Sequence, residues 1–170
     1  TEKEIIIDIP GCPKIIQLDD ELIETTSSQQ SIKFTVLTEG PDPTSYKWDW
    51  GDESEPTTTT EAEATHDYDR PIGEIEKSFT AKAEVMGPNE CKTSEQGVVT
   101  IVGCPKLISF TPELLAPTKE KQGVTLKVVT EGPPPTKYIW HWKDGETTET
   151  TTASDTNEYQ RPLGKVSETY

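Results

Sequence analysis

The chain copies itself at a fixed interval, and a chain built that way folds as a series of similar units. Gly11-Cys12-Pro13-Lys14 recurs as Gly103-Cys104-Pro105-Lys106, and Thr38 to Asp52 recurs as Thr130 to Asp144, both 92 positions on. Ten of the fifteen positions in the longer segment are identical, which fixes the alignment of the two copies there. Further along, Tyr68-Asp69-Arg70-Pro71-Ile72-Gly73 returns as Tyr159-Gln160-Arg161-Pro162-Leu163-Gly164, now 91 positions on. The second copy is therefore one residue short in the intervening loop, the kind of place where a fold tolerates loss. Ile5-Ile6-Ile7-Asp8-Ile9 precedes Gly11-Cys12 much as Val98-Val99-Thr100-Ile101 precedes Gly103-Cys104. This assigns residues 1–10 to the last strand of a preceding repeat, 11–102 to a first module and 103–170 to a second module incomplete at its C-terminus. Tyr170 is the counterpart of Phe79. A parent protein with at least three modules is expected; the alternative is a leading strand that completes a neighbouring subunit by strand addition.

Within each copy the apolar pattern has period two, the mark of strands with one buried face. Ile32, Phe34 and Val36 share a face, as do Tyr46, Trp48 and Trp50, and then Phe79, Ala81, Ala83 and Val85. The second copy repeats this with Val124, Leu126 and Val128, and with Tyr138, Trp140 and Trp142. Turn residues separate the runs at Gly40-Pro41-Asp42-Pro43, Gly51-Asp52, Pro71-Ile72-Gly73 and Gly87-Pro88-Asn89. Only Asp19 to Thr25, with its partner near Pro112 to Ala116, has a composition that suits a short helical turn. The predicted fold class is all-β, with antiparallel two-sheet sandwiches of about 90 residues each.

These residues resemble a known family. Tyr46-Lys47-Trp48-Asp49-Trp50-Gly51-Asp52, then His66-Asp67-Tyr68, then Gly73 before an alternating strand, is similar to the Trp-Asp-Phe-Gly-Asp and His-x-Tyr signature of PKD (polycystic kidney disease) domains. The second copy keeps Trp140, Trp142, Asp144 and Tyr159, but has His141 for Asp49, Lys143 for Gly51 and Asn157 for His66. The resemblance implies tandem immunoglobulin-like sandwiches arranged as a linear array, used outside the cell as spacers or in protein and carbohydrate contacts. It implies no chemistry.

Physical reasoning gives the signature structural work. Trp48 and Trp50 supply large buried areas to a small core. Asp52 can accept backbone N–H bonds in a tight turn, and Tyr68 sits where a tyrosine corner would place it. Arg70 and Arg161 are expected to stack on a ring or pair with a carboxylate. In an immunoglobulin-like sandwich Cys12 and Cys91 fall at the same end, which makes them the expected disulfide. Cys104 repeats Cys12 and would find its partner beyond Tyr170. A Cys91–Cys104 bond, or three unlinked thiols, are the alternatives. The expected bond would contribute roughly 4 kcal/mol in the chain-entropy model and points to an oxidising compartment, hence an extracellular or cell-surface location.

The remaining features mostly exclude. With 16 basic against 31 acidic residues and a net charge of −15, the surface repels phosphate backbones, so nucleic acid and anionic membrane are poor partners. A hydrophobic share of 31% suits thin modules better than one large core. No apolar run approaches the roughly 20 residues of a membrane-spanning helix, and the first residue is Thr1, so any signal or anchor is expected outside this sequence. The acids at Asp19-Asp20-Glu21 and at Asp49, Asp52, Glu53 and Glu55 raise calcium as a ligand, but their spacing matches no calcium loop, and a solvated face is the preferred reading. The threonines of 57–60 and 147–152 suit a polar edge strand, with O-glycosylation the weaker reading. Only His66 and His141 could serve as catalytic bases, at unrelated positions in the two copies, and no metal-binding or phosphate-binding spacing occurs. The expectation is a non-enzymatic stalk, filament or adhesive component without cofactor, whose partners are neighbouring repeats, surface or filament proteins, or glycans. The alternative is a carbohydrate- or protein-binding accessory module of a secreted hydrolase.

Overall fold

A computed structural model describes residues 11–162 of the chain. The strand expected within residues 1–10, and the second copy beyond Pro162, lie outside the described residues. The fold is all-β, and its ladders are antiparallel. Residues 11–71 with 76–102 make one compact unit, and residues 72–75 with 103–162 make another.

In the first unit the strands are β1 (Lys14–Thr25), β2 (Gln29–Glu39), β3 (Ser45–Asp49), β4 (Thr57–Thr59), β5 (Glu63–Asp69), β6 (Glu76–Met86) and β7 (Lys92–Val102). A single 3₁₀ turn, Pro88–Glu90, precedes β7. They form two sheets, ordered β1-β2-β5 and β4-β3-β6-β7. The inward residues of both sheets meet in one core. Ile15, Ile32, Phe34, Val36 and Tyr68 come from one side, and Tyr46, Trp48, Phe79, Ala81, Ala83, Val85, Val99 and Ile101 from the other. Alternation along β2 and β6 is the cause: each apolar residue at even spacing faces the other sheet while its neighbours face water. This arrangement is compatible with an immunoglobulin-like sandwich.

The second unit holds β8 (Lys106–Leu114), β9 (Lys121–Glu131), β10 (Tyr138–His141), β11 (Thr147–Thr150) and β12 (Ser154–Gln160). Here the sheets are β12-β9-β8 and β10-β11. Their registers copy the first unit. Lys14 faces Glu39 as Lys106 faces Glu131, and a register shift near the start of the first strand occurs at Ile15/Gln17 and again at Leu107/Ser109.

One sequence expectation is corrected. Asp19 to Thr25 forms no helical turn; it is the second half of β1, paired with β2 through Asp20↔Phe34 and Leu22↔Ile32. Its counterpart lies largely in β8, where Pro112 faces Leu126. Weak local preference for a helix yields to a ladder of backbone hydrogen bonds and to the burial of Phe34 and Ile32 beneath it. Pro112 costs the sheet little, because among the described residues β8 pairs on one side only and a proline without N–H is tolerated at an edge.

Candidate functional site: the repeated aromatic signature

The candidate residues gather at β3 and the turn that follows it. Trp48 and Trp50 are 1% and 2% exposed, and their rings stack at 6.0 Å between centroids. A buried indole needs an acceptor for its N–H. Trp48 Nε1 donates to Thr59 Oγ1 at 3.1 Å and Trp50 Nε1 to Thr57 Oγ1 at 3.4 Å. The second unit does the same: Trp140 Nε1 donates to Thr150 Oγ1 at 2.9 Å and Trp142 Nε1 to Thr148 Oγ1 at 3.0 Å. Two tryptophans on one strand thus dock onto two alternate threonines of its hairpin partner, in both copies. The threonine runs read from sequence as polar edges are the acceptors of the signature. In the sequence they stand only as threonine-rich runs downstream of each Trp-x-Trp, with nothing to mark which hydroxyls accept.

The same comparison locates the missing residue. Trp48 faces Thr57, whereas Trp140 faces Thr148, so the turn joining the hairpin is one residue shorter in the second unit. In the first unit that turn is held by Asp49 Oδ1, which accepts from Gly51 N–H at 3.1 Å, and Asp52 Oδ1, which accepts from Ser54 N–H at 3.1 Å. Gly51 has a φ of +75°, and a Cβ there would lie 2.3 Å from the Thr80 carbonyl oxygen. In the second unit Lys143 occupies the equivalent place, and the tighter turn puts its glycine at Gly145, with a φ of +93°. The departure from the family pattern therefore follows from a rebuilt turn.

Asp52 also reaches back across the sandwich. Its Oδ2 lies 2.7 Å from His66 Nε2, and the imidazole stacks on Trp50 at 4.6 Å with planes 3° apart. Burial pushes the Asp52 carboxyl up, but bonds from Ser54 and His66 outweigh it and hold the pKa below the usual aspartate value. In the second unit Asn157 Nδ2 donates to Asp144 Oδ2 at 2.8 Å, so asparagine supplies the bond that histidine supplies in the first. Tyr68 is fully buried, and its hydroxyl donates to the Trp50 carbonyl oxygen at 2.9 Å. Burial first, and then the charges of Asp52, Asp20 and Asp49, push its phenol well above the ordinary value. Tyr159, its counterpart, is half-buried on β12.

Arg70 and Arg161, expected to stack on a ring or pair with a carboxylate, also reach backbone carbonyls. Arg70 Nη1 donates to the Thr26 carbonyl and its Nε to the Val102 carbonyl, each at 2.9 Å, while Arg161 Nη1 donates to the Thr118 carbonyl at 3.0 Å. Each clamps the backbone at the turn joining the first two strands of its copy. Cys12 and Cys91 are disulfide-bonded, with Cα atoms 5.8 Å apart, inside the span such a bond requires. That pairing excludes the Cys91–Cys104 alternative. Cys104 is half-buried.

Among the described residues no three His, Cys, Asp or Glu side chains converge in a way that could hold a metal ion. His141 Nδ1 lies 3.3 Å from Thr147 Oγ1, whereas the counterpart of the His66–Asp52 contact is the Asn157–Asp144 bond. Among the described residues no helix is long and apolar enough to cross a membrane. No protein-family model matches the chain and no curated protein matches it, so the likeness to PKD modules rests on the residues themselves.

Proposed function

We propose that the chain is a non-catalytic part of an extracellular or cell-surface protein, in which PKD-like modules in series act as a stalk or filament component that carries adhesive or functional segments. The observation that carries this reading is where the signature spends its polar groups. Trp48 and Trp50 give their N–H groups to threonines of their own hairpin, Tyr68 gives its hydroxyl to the Trp50 carbonyl, and Asp52 is occupied by Ser54 and His66. A sandwich whose most distinctive residues are consumed in holding it together has the character of a spacer. The Cys12–Cys91 staple supports an oxidising location, and the acidic surface keeps repeated modules from associating with one another. Electron microscopy of the intact parent protein tests the proposal. A beaded series of small modules is the expected image; a single module beside a large catalytic globule would transfer the chain to the accessory-module reading.

A further inference from the structure

The second unit is assembled from two stretches of chain, residues 103–162 and a turn at Ile72–Ile75 that precedes them in sequence. Backbone bonds tie the turn in. Gly73 N–H donates to the Cys104 carbonyl and Gly103 N–H to the Ile75 carbonyl, each at 2.8 Å, and Ile72 pairs with Cys104 in an isolated parallel bridge. Gly132 lies against the turn with a φ of +86°, and a Cβ there would sit 2.9 Å from the Gly73 carbonyl carbon and 3.1 Å from the Cys104 carbonyl oxygen. Lys106 Nζ and Glu131 Oε1 form an ion pair at 2.9 Å, and a Cβ on Gly73 would come within 2.8 Å of that same oxygen. The turn is therefore seated by bare backbone, glycine against glycine.

Each part of this socket occurs a second time. Gly103, Cys104, Lys106, Glu131 and Gly132 correspond to Gly11, Cys12, Lys14, Glu39 and Gly40. The likeness extends to geometry: Lys14 Nζ meets Glu39 Oε1 at 2.9 Å, Gly40 has a φ of +98°, and a Cβ on it would lie 3.1 Å from the Cys12 carbonyl oxygen, the distance found at Gly132. The turn is repeated as well, since Arg70-Pro71-Ile72-Gly73 returns as Arg161-Pro162-Leu163-Gly164. We propose that Gly11, Cys12, Lys14, Glu39 and Gly40 form a docking socket on the first unit, whose occupant is the Arg-Pro-x-Gly turn of a preceding repeat. This rests on the reading that such repeats follow one another in the parent protein. The occupant is set by what the matching socket of the second unit holds. Two backbone bonds supply the attachment, and the close approach at Gly40 and Glu39 selects a turn with glycine at its fourth position. Arg70, bonded to the Thr26 and Val102 carbonyls, fixes the point from which such a turn departs. A folding unit is then one repeat together with the turn of the repeat before it.

The test uses a chain in which a copy of residues 11–102 is joined to residues 11–170, so that Val102 precedes Gly11 as it naturally precedes Gly103. With ¹⁵N confined to the natural part, amide hydrogen exchange is read at Gly11. The expected result is exchange as slow as that of Gly103, at least about tenfold slower than an unprotected amide. Asparagine accepts a positive φ better than other side chains, so Gly40→Asn keeps the local backbone while setting a side chain against the docked turn. In the joined chain Gly40→Asn is expected to speed exchange at Gly11 by roughly tenfold, with the β2 amides unchanged. Gly132→Asn in the natural chain should act in the same way on Gly103. Unprotected exchange at Gly11 in the joined chain, or protection that survives Gly40→Asn, would overturn the proposal. A beaded parent protein with Gly11 unprotected would retain the stalk and refute the socket, which keeps the two failures distinct.

Discussion

At the scale of single residues, the threonines opposite each Trp-x-Trp make a sharp prediction. Thr59→Val keeps shape and strand preference but leaves the buried Trp48 N–H without its acceptor, which costs on the order of 1–3 kcal/mol. Thr58→Val, on the exposed face of the same strand, should change stability within about 0.5 kcal/mol, the range usual for a surface substitution. Urea unfolding of the two variants, followed by tryptophan fluorescence, checks the contrast. Asp52 gives a second prediction, in pH. Its folded-state pKa lies below that of the unfolded chain, so the carboxylate contributes stability above the ordinary aspartate value near ~4, and this contribution is lost as pH falls through the folded value. The difference in unfolding free energy between the natural chain and Asp52→Asn should therefore shrink on acidification. His66→Asn, which copies the bond Asn157 makes to Asp144, should be milder than His66→Ala.

At the scale of elements, the turn between β3 and β4 is set by one missing side chain. Gly51→Ala would place a methyl group against the Thr80 backbone at a φ that side chains rarely adopt, so a loss of at least ~1–3 kcal/mol is expected in thermal or urea unfolding. That glycine was legible as turn punctuation, and so were the strands whose apolar residues alternate, because burial of one face leaves a period-two trace in β2, β3 and β6. Where no such trace exists the sequence misleads. Asp19 to Thr25 is acidic and apolar without strict alternation; among the described residues it belongs to a strand at the edge of its sheet, and its ladder with β2 makes it extended. The threonine acceptors were invisible for a related reason: a hydroxyl that accepts from an indole has the same composition as one that faces water. Arg70 and Arg161 bind carbonyl oxygens, which every residue carries, so no sequence pattern could name their partners.

At the scale of the whole molecule, the internal repeat carried most of the information, because a feature present twice can be aligned and its departures interpreted. Lys143 for Gly51 and Asn157 for His66 are departures from the first copy in the sequence; in the structure they correspond to a shorter turn and a substitute hydrogen bond. The disulfide belongs to this scale too. Cys91→Ser should lower the stability of the first unit by roughly 4 kcal/mol, given a sequence separation of 79 between the bonded cysteines, as measured by denaturant unfolding under non-reducing conditions. The most direct test of the central claim, that the aromatic signature is spent on the fold, is hydrogen exchange of the indole N–H groups in a ¹H–¹⁵N spectrum. The chain has four tryptophans, all of them in the two signatures, so every indole signal reports on the claim. All four are expected to exchange slowly and to stay unmoved by added glycans. Exchange of the Trp48 or Trp50 indole at the rate of a solvent-exposed tryptophan would contradict the account.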